Sequence, residues 1–344
     1  MAGGLDFHKR LGSGYFGEVW LATDTGLNAE RAFKLIAPDK VPNRNNFFHE
    51  ARILKAVEHP NIVRVHEAGI HSGRIYIAME YLQRGSLEDE AKGAYVPLTR
   101  AKRLIIDVMR GLEHAHSQGI LHRDIKPANI LVGEGGEGKL SDFGLAIPMG
   151  IDPTALGMKD YNYVIHQAPE IVRTTDYYIG TDIYACGVTL YRLVNGDSVL
   201  PTVPVNEIRG LTQDGKFPDH TRYRDFVPRP LRVIINRAMN VDPSRRFQSA
   251  SEMRHAVEQV KIEKNWSERI LMNGVEWTCG WNRKCYEVSR RCGPNNRWEV
   301  LVQKGTAKRA LRKIGALCRY DTTEAEAERH ARRVLQDFVL GKQK

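Results

Sequence analysis

The chain has 344 residues, room for one large two-lobed domain and a smaller companion. With 42% hydrophobic and 27% charged residues, its composition is that of a globular protein with a sizeable core, not of a fibre or a disordered tail. No run approaches the ~18 apolar residues of a membrane helix. The opening MAGGLDFHKR lacks the apolar centre of a signal peptide. The expectation is a cytoplasmic protein with no membrane partner. The net charge of +10 is uneven: residues 261–344 hold 19 Lys/Arg against 10 Asp/Glu, whereas residues 1–260 hold 32 against 31. An electrostatic partner is therefore to be sought at the C-terminal quarter.

In chain order, the first 80 residues read as short strands around one helix. Phe7–Leu11, Glu18–Thr23 and Arg31–Ile36 are strand-like and are separated by turn signals at Gly12, Gly14, Gly26 and Asn28. Apolar residues at helical spacing run from Phe47 to Val57, and two further strand-like runs follow at Val63–Ala68 and Arg74–Tyr81. From Leu98 the pattern turns helical, with Leu104, Ile105, Val108 and Leu112 on one face and a stop at Gly119. Thr181–Asn195, Pro230–Asn240 and Ser249–Ile262 are further predicted helices. Asn265 begins a different composition, and four of the five tryptophans lie beyond it. The five cysteines (Cys186, Cys279, Cys285, Cys292, Cys318) form no CxxC pair and fit no familiar zinc spacing. Free thiols in a reducing compartment are expected.

Three stretches carry chemistry. Leu11-Gly12-Ser13-Gly14-Tyr15-Phe16-Gly17-Glu18-Val19 is a GxGxxGxV loop between two strands, where glycines let backbone approach phosphates closely. Dinucleotide-binding folds use similar spacing, but there the loop opens a helix, whereas EVWLATD here reads as a strand. Lys34 lies on the next strand, and Glu50, 16 residues on in the predicted helix, is its natural counter-charge. His122-Arg123-Asp124, with Lys126 and Asn129, precedes Asp142-Phe143-Gly144 by 18 residues, counted from Asp124 to Asp142. Together they supply a carboxylate for a hydroxyl proton, a cation for phosphate charge and two metal ligands, which is what phosphoryl transfer needs.

On these motifs residues 5–260 resemble the eukaryotic-type Ser/Thr protein kinases. The resemblance implies an α+β, two-lobed fold: an antiparallel N-lobe with one main helix (about 5–82) and a helical C-lobe (about 83–262). It implies Asp124 as catalytic base, Lys126 on the transferring phosphoryl group, Lys34 and Glu50 positioning ATP, and Asn129 and Asp142 holding Mg²⁺, with Mn²⁺ as a substitute. Leu11, Gly12, Ser13, Gly14 and Gly17 would cover the nucleotide. Ala32, Val19 and Leu131 would sandwich adenine, Glu80 and Leu82 would offer hinge backbone, and Met79 would be the gatekeeper. The match continues through Ala168-Pro169-Glu170, with Arg246 as the expected buried partner of Glu170, and through Asp182, which would support the catalytic loop. The implied activity is transfer of the ATP γ-phosphoryl group to Ser/Thr of a protein, with autophosphorylation. The alternative is a pseudokinase scaffold acting through its C-terminal module. Aminoglycoside- or choline-type small-molecule kinases lack this full activation segment.

The chain departs from the family before Ala168. Asn162-Tyr163 stand where a Gly-Thr pair is common, and His166, expected to be packed and neutral, replaces a tyrosine. Arg123 suggests control by phosphorylation of the activation segment, with Thr154 the expected site. Residues 263–344 form a basic, Trp-rich α+β module. Val275, Trp277, Cys279 and Trp281 alternate, Gly293–Asn296 mark a hairpin, and Thr322 or Thr323 caps a final amphipathic helix. The expectation is a small sheet packed by one or two helices, serving as a protein-docking or interaction site. One alternative is a structural appendage fixed to the C-lobe, its tryptophans simply core; nucleic acid is the weaker one, because Glu324, Glu326 and Glu328 occupy the start of that helix, where double-stranded-RNA-binding domains place lysines.

Overall fold

The computed structural model describes residues 5–14, 17–36, 48–71, 73–93, 95–151, 164–172, 174, 176–200, 202–306 and 309–343. β1 (Leu5–Gly14), β2 (Gly17–Asp24), β3 (Ala29–Ile36), β4 (Val65–His71) and β5 (Arg74–Glu80) form an antiparallel sheet in the order β1-β2-β3-β5-β4. Strand alternation gives this sheet two apolar faces. On one, Ala22, Phe33 and Ala78 pack with Phe7 and Tyr76. On the other, Ile36, Ile77 and Met79 pack on Ala51 of α1 (His49–Ala56). The register sets Lys34 opposite Val19 and Ile77, and Ala32 opposite Met79. All five therefore share the face that looks toward α1, and a one-residue slip would turn every one of them away.

The following lobe is helical: α2 (Glu88–Gly93), α3 (Leu98–Ser117), α4 (Ile179–Asn195), α5 (Val205–Gln213), α6 (Arg229–Ala238) and α7 (Ala250–Gln259). Between α3 and α4 lie short strands β6 (Ile120–Leu121), β7 (Ile130–Val132), β8 (Gly138–Leu140) and β9 (Ile147–Pro148), which pair β6 with β9 and β7 with β8. α3 buries Leu104, Ile105, Val108 and Leu112, as their spacing predicts. α4 is buried from Gly180 to Asn195 and forms the axis of the lobe. Sequence reasoning missed α2 and α5. α2 is EDEAKG with only Ala91 buried, so it has no periodicity to read; the buried Arg192 of α4 pins it through Glu88 at 3.2 Å. Phe47, the expected helix start, lies outside the described residues.

β10 (Ser267–Leu271), β11 (Gly274–Trp281), β12 (Lys284–Cys292) and β13 (Trp298–Thr306) continue as an antiparallel meander. β14 (Arg309–Lys313) and β15 (Arg319–Thr322) share the far side of β13. The β12–β13 turn holds Asn295 and Asn296 at φ of 60° and 57°, a conformation asparagine tolerates. α8 (Glu324–Val339) is the module's one α-helix among the described residues. Its N-cap is Thr323, in a capping box with Glu326. The acids at its start are therefore engaged in the fold: Glu326 caps the helix, and Glu328 pairs with Arg332.

The module is continuous with the helical lobe. Trp266, Trp277, Tyr286 and Phe338 belong to the same apolar cluster as Ile183, Phe226 and Val257. Tyr95 stacks on Phe226 at 4.8 Å, donates to the Trp266 carbonyl (2.9 Å) and accepts from the Glu268 N–H (2.8 Å). Asn265 bonds both the N–H and the hydroxyl of Thr99, and Arg332 reaches Asp225 at 2.9 Å. The buried Lys264 ammonium lies 4.1 Å from the Trp281 ring centre, with Tyr286 and Phe338 also within 6 Å, and cation–π attraction joins the Gln343 carbonyl (3.3 Å) and the Glu263 carboxylate (3.8 Å) in offsetting its lost hydration. Burial pushes the Cys186 and Cys279 thiols up, Cys279 to about 11, and all five cysteines are free. Because one core serves both parts, Trp266→Ala is expected to cost about 3–5 kcal/mol and to lower the melting of the whole chain. Calorimetry should show one transition; two independent peaks would contradict the shared core.

Candidate active site

Lys34 on β3 is buried and donates to both oxygens of Glu50 on α1 (2.8 and 2.7 Å) and to Asp142 Oδ1 (2.7 Å). Burial opposes the ammonium, but the two carboxylates outweigh it and hold the lysine firmly cationic. Burial likewise opposes the Asp142 carboxylate, and Lys34 overcomes this to keep it ionised. Burial pushes Glu50 upward, with Asp142 adding to the effect. Gly144 packs against this cluster: a Cβ there would lie 3.2 Å from Asp142 Oδ1, 3.3 Å from Glu50 Oε2 and 3.4 Å from Lys34 Nζ. The glycine of Asp-Phe-Gly thus admits the charged triad. Phe143 is fully buried and packs on the His122 ring at 4.5 Å, joining the Asp142 segment to the catalytic loop.

In that loop Lys126 Nζ donates to Asp124 Oδ2 (2.6 Å), and Asn129 Nδ2 donates to the same oxygen and to the Asp124 carbonyl (both 2.8 Å). Asp124 Oδ1 has no hydrogen-bond partner among the described residues. The loop is set by a group 58 residues away in sequence, Asp182. This buried carboxylate accepts from the backbone N–H groups of His122 (2.9 Å) and Arg123 (2.8 Å) and lies 2.9 Å from His116 Nε2. Burial alone would raise it, but the His116 hydrogen bond and nearby charges hold it below the usual carboxylate range. Arg123 sits at φ 68° and Asp142 at φ 58°, left-handed conformations that cost non-glycine residues about 1–3 kcal/mol each.

The residues expected to face a nucleotide fall around this centre. Ala32, Met79 and Leu82 are buried, Val19 and Leu131 half-buried and Leu11 exposed. Gly17 is required, because at φ 147° a Cβ would meet the Leu35 carbonyl oxygen at 2.0 Å. Gly12, Ser13 and Gly14 end β1 just before it. The Glu80 carboxylate is engaged by Lys139 (2.8 Å) and by the Arg64 N–H (2.8 Å), and the Glu80 N–H donates to the Arg64 carbonyl (3.0 Å). The Leu82 carbonyl accepts from Gly85, and its N–H has no acceptor among the described residues. Glu170 and Arg246 form a bidentate pair at 2.7 Å, and Arg246 is fully buried. Arg123 donates to the Leu145 carbonyl and covers the Tyr177 ring at 3.9 Å. Thr154, Asn162 and Tyr163 lie outside the described residues. Sequence reasoning missed His116, Ser141 and Lys139, whose contacts join distant elements and leave no local signal.

A family model described as the protein kinase domain matches residues 5–258. This chain belongs to the protein kinase family. It is 34% identical over 263 residues to the serine/threonine-protein kinase PknJ of Mycobacterium tuberculosis, covering 74% of this chain and 44% of that protein. A probable serine/threonine-protein kinase of Clostridium perfringens is 34% identical over 266 residues, 74% of this chain and 38% of that one. The calcium/calmodulin-dependent protein kinase type II alpha chain of Drosophila melanogaster is 29% identical over 260 residues, 73% and 48%. The chain spans less than half the length of each of these relatives. Among the described residues, no helix of the kinase is long and apolar enough to cross a membrane.

Two outcomes follow from the buried charges and imidazoles of this kinase. Arg246→Ala strands Glu170 without its partner and should cost about 3–5 kcal/mol in denaturant unfolding. Burial disfavours the cations of His122 and His166, and at His166 the charges of Arg192 and Lys126 add to this. Both folded values lie below the unfolded ~6.5, so the unfolded chain binds more protons just below that pH. Stability is therefore present above about pH 6.5 and falls as pH drops toward the folded values. His166→Phe should flatten that acid-side slope by up to about 1.4 kcal/mol per pH unit, read as melting temperature against pH; an unchanged slope would mean that His166 titrates as it does unfolded.

Proposed function

We propose that this chain transfers the γ-phosphoryl group of Mg-ATP to Ser/Thr hydroxyls of a protein substrate and of itself. The observation that carries the reading is the assembled pair of charge clusters: Lys34 with Glu50 and Asp142, and Asp124 with Lys126 and Asn129. Kinase turnover requires both the strand-lysine pair and the Asp-Phe-Gly aspartate in place. Asp124 is the base. Its Oδ2 is tethered, so Oδ1 can orient an acceptor hydroxyl and take its proton. Lys126, 2.6 Å from that carboxylate, is close enough to share its charge with the incoming phosphoryl oxygens. Lys34 stays cationic and meets the α/β-phosphates, with Glu50 fixing its reach. Gly12, Ser13, Gly14 and Gly17 approach the phosphates through backbone. Leu11, Val19, Ala32, Met79 and Leu131 hold adenine, and Glu80 and Leu82 offer it backbone groups.

The donor set also suits Mg²⁺. Asn129 donates its Nδ2 to Asp124 and so keeps its Oδ1 for a cation, and Asp142 is ionised with one oxygen on Lys34. Asn129 and Asp142 would hold a hard cation through one amide and one carboxylate oxygen, and it would supply neutralising charge to the phosphates. The names of the bacterial relatives support a Ser/Thr acceptor. The same proposal divides the chain at residues 262/263, between α7 and β10, and gives the module a docking or interaction role. Thr154 remains the proposed autophosphorylation site.

Incubation with labelled ATP-Mg²⁺ and phosphoamino-acid analysis tests this. Wild type should label Ser/Thr, and Asp124→Asn should lose at least about 10²-fold in turnover while still binding nucleotide. Peptide mapping should find phosphate on Thr154. Equal labelling by Asp124→Asn would refute the assignment of the base.

A further inference from the structure

A groove of about 430 Å³ runs between α6 of the C-lobe and α8 of the module, so neither part forms it alone. Its charge is one-sided. Arg229, Arg329, Arg332, Arg333 and Lys342 line it, and Asp337 is its one acid among the described residues. Arg332 is fixed by Asp225 and Glu328. Asp337 reaches Arg333 and Lys342 only at 3.9 and 3.8 Å. Arg229 and Arg329 are exposed and have no carboxylate within ion-pair distance among the described residues. Just behind, Arg232 on α6 meets Gln336 at 3.4 Å, and burial and the charges of Arg332 and Arg229 disfavour its cation. The groove thus gathers more positive charge than its own acids neutralise, and an anion would relieve that repulsion.

We infer that this groove docks an acidic segment of a protein partner, its carboxylates or phosphates taken up by Arg229, Arg329 and Arg333. The inference rests on the docking role proposed for the module and adds its location and chemistry. Three features favour a polypeptide. Arginine forks match carboxylate and phosphate oxygens bidentately. Pro230 and Leu340 give the lining apolar patches, and the Gln336 side chain there can pair with peptide groups. Among the described residues no aromatic side chain lines the groove, so it offers no stacking platform of the kind that single-stranded nucleic acid uses. Seated beside α6, such a segment would be tethered to the same rigid body that carries Asp124, raising the local concentration of its own hydroxyls at the active site.

The test is fluorescence polarisation of the full chain with a labelled peptide rich in Glu and Asp, a Lys-rich peptide of equal length and a single-stranded oligonucleotide of equal charge. Wild type should bind the acidic peptide, more weakly as salt rises from ~0.05 to ~0.3 M, and should bind neither control as well. Arg329→Glu with Arg333→Glu should weaken binding by about tenfold or more, and the milder Arg329→Gln with Arg333→Gln should weaken it in the same direction. Melting curves exclude unfolding as the cause. Arg312→Glu with Lys313→Glu, on the basic β14 edge, matches the charge change elsewhere and should leave binding intact. If that variant loses the peptide and the groove variants keep it, the groove is overturned while a docking role for the module survives. If wild type ignores the peptide, both fall. Tighter, groove-dependent binding of the oligonucleotide would replace the polypeptide with nucleic acid.

Discussion

One buried ammonium holds the active region together. Lys34 belongs to β3, Glu50 to α1 and Asp142 to the segment after β8, yet all three meet within 2.8 Å. A lysine buried without acids loses its charge, and a carboxylate buried without a cation does the same. Lys34 therefore favours the charge of both acids and they favour its own, while the two acids oppose each other, so displacing the lysine leaves uncompensated charge in a desolvated site. The position of α1 and the direction of Asp142 are thereby coupled. The apolar contact of Phe143 with His122 extends that coupling to the catalytic loop.

The same logic recurs beneath the loop. Arg123 and Asp142 hold left-handed backbone that neither would adopt freely. The strain persists because Asp182 takes the two N–H groups presented by His122 and Arg123, and Lys34 takes the Asp142 carboxylate. Arg246 then fixes Glu170 against α4 through the Gly180 carbonyl (2.9 Å). These buried ionic anchors contribute position more than net stability, since desolvation offsets much of their Coulomb attraction. Position is what phosphoryl transfer demands.

The module is bound differently. Its tryptophans, which the sequence shows only as a change in composition, complete the apolar cluster of the C-lobe, and Lys264 is enclosed by three of its rings. Its basic excess is distributed rather than diffuse. Arg332 joins Asp225 in an ion pair at the seam, and Arg329, Arg333 and Lys342 lie between α6 and α8. A surface written in one quarter of the chain becomes a groove only against a helix from another.

The family, the order of lobes and the residues of the two charge clusters were legible in the sequence. Each rests on short spacings: GxGxxGxV, His-Arg-Asp with Lys and Asn at fixed offsets, Asp-Phe-Gly and Ala-Pro-Glu. Turn signals likewise marked β2, β3 and the β12–β13 hairpin, and alternation marked β11, because both are local properties. What stayed hidden is non-local. α2 carries one buried apolar residue and is held by Arg192; His116 and Lys139 act through Asp182 and Glu80; the seat of the module depends on Tyr95, Thr99 and Asp225. The chain alone thus determined which groups are available for phosphoryl transfer. Tertiary structure decided which of them are buried, and hence which charges must be shared, because desolvation depends on what the rest of the chain packs around each group.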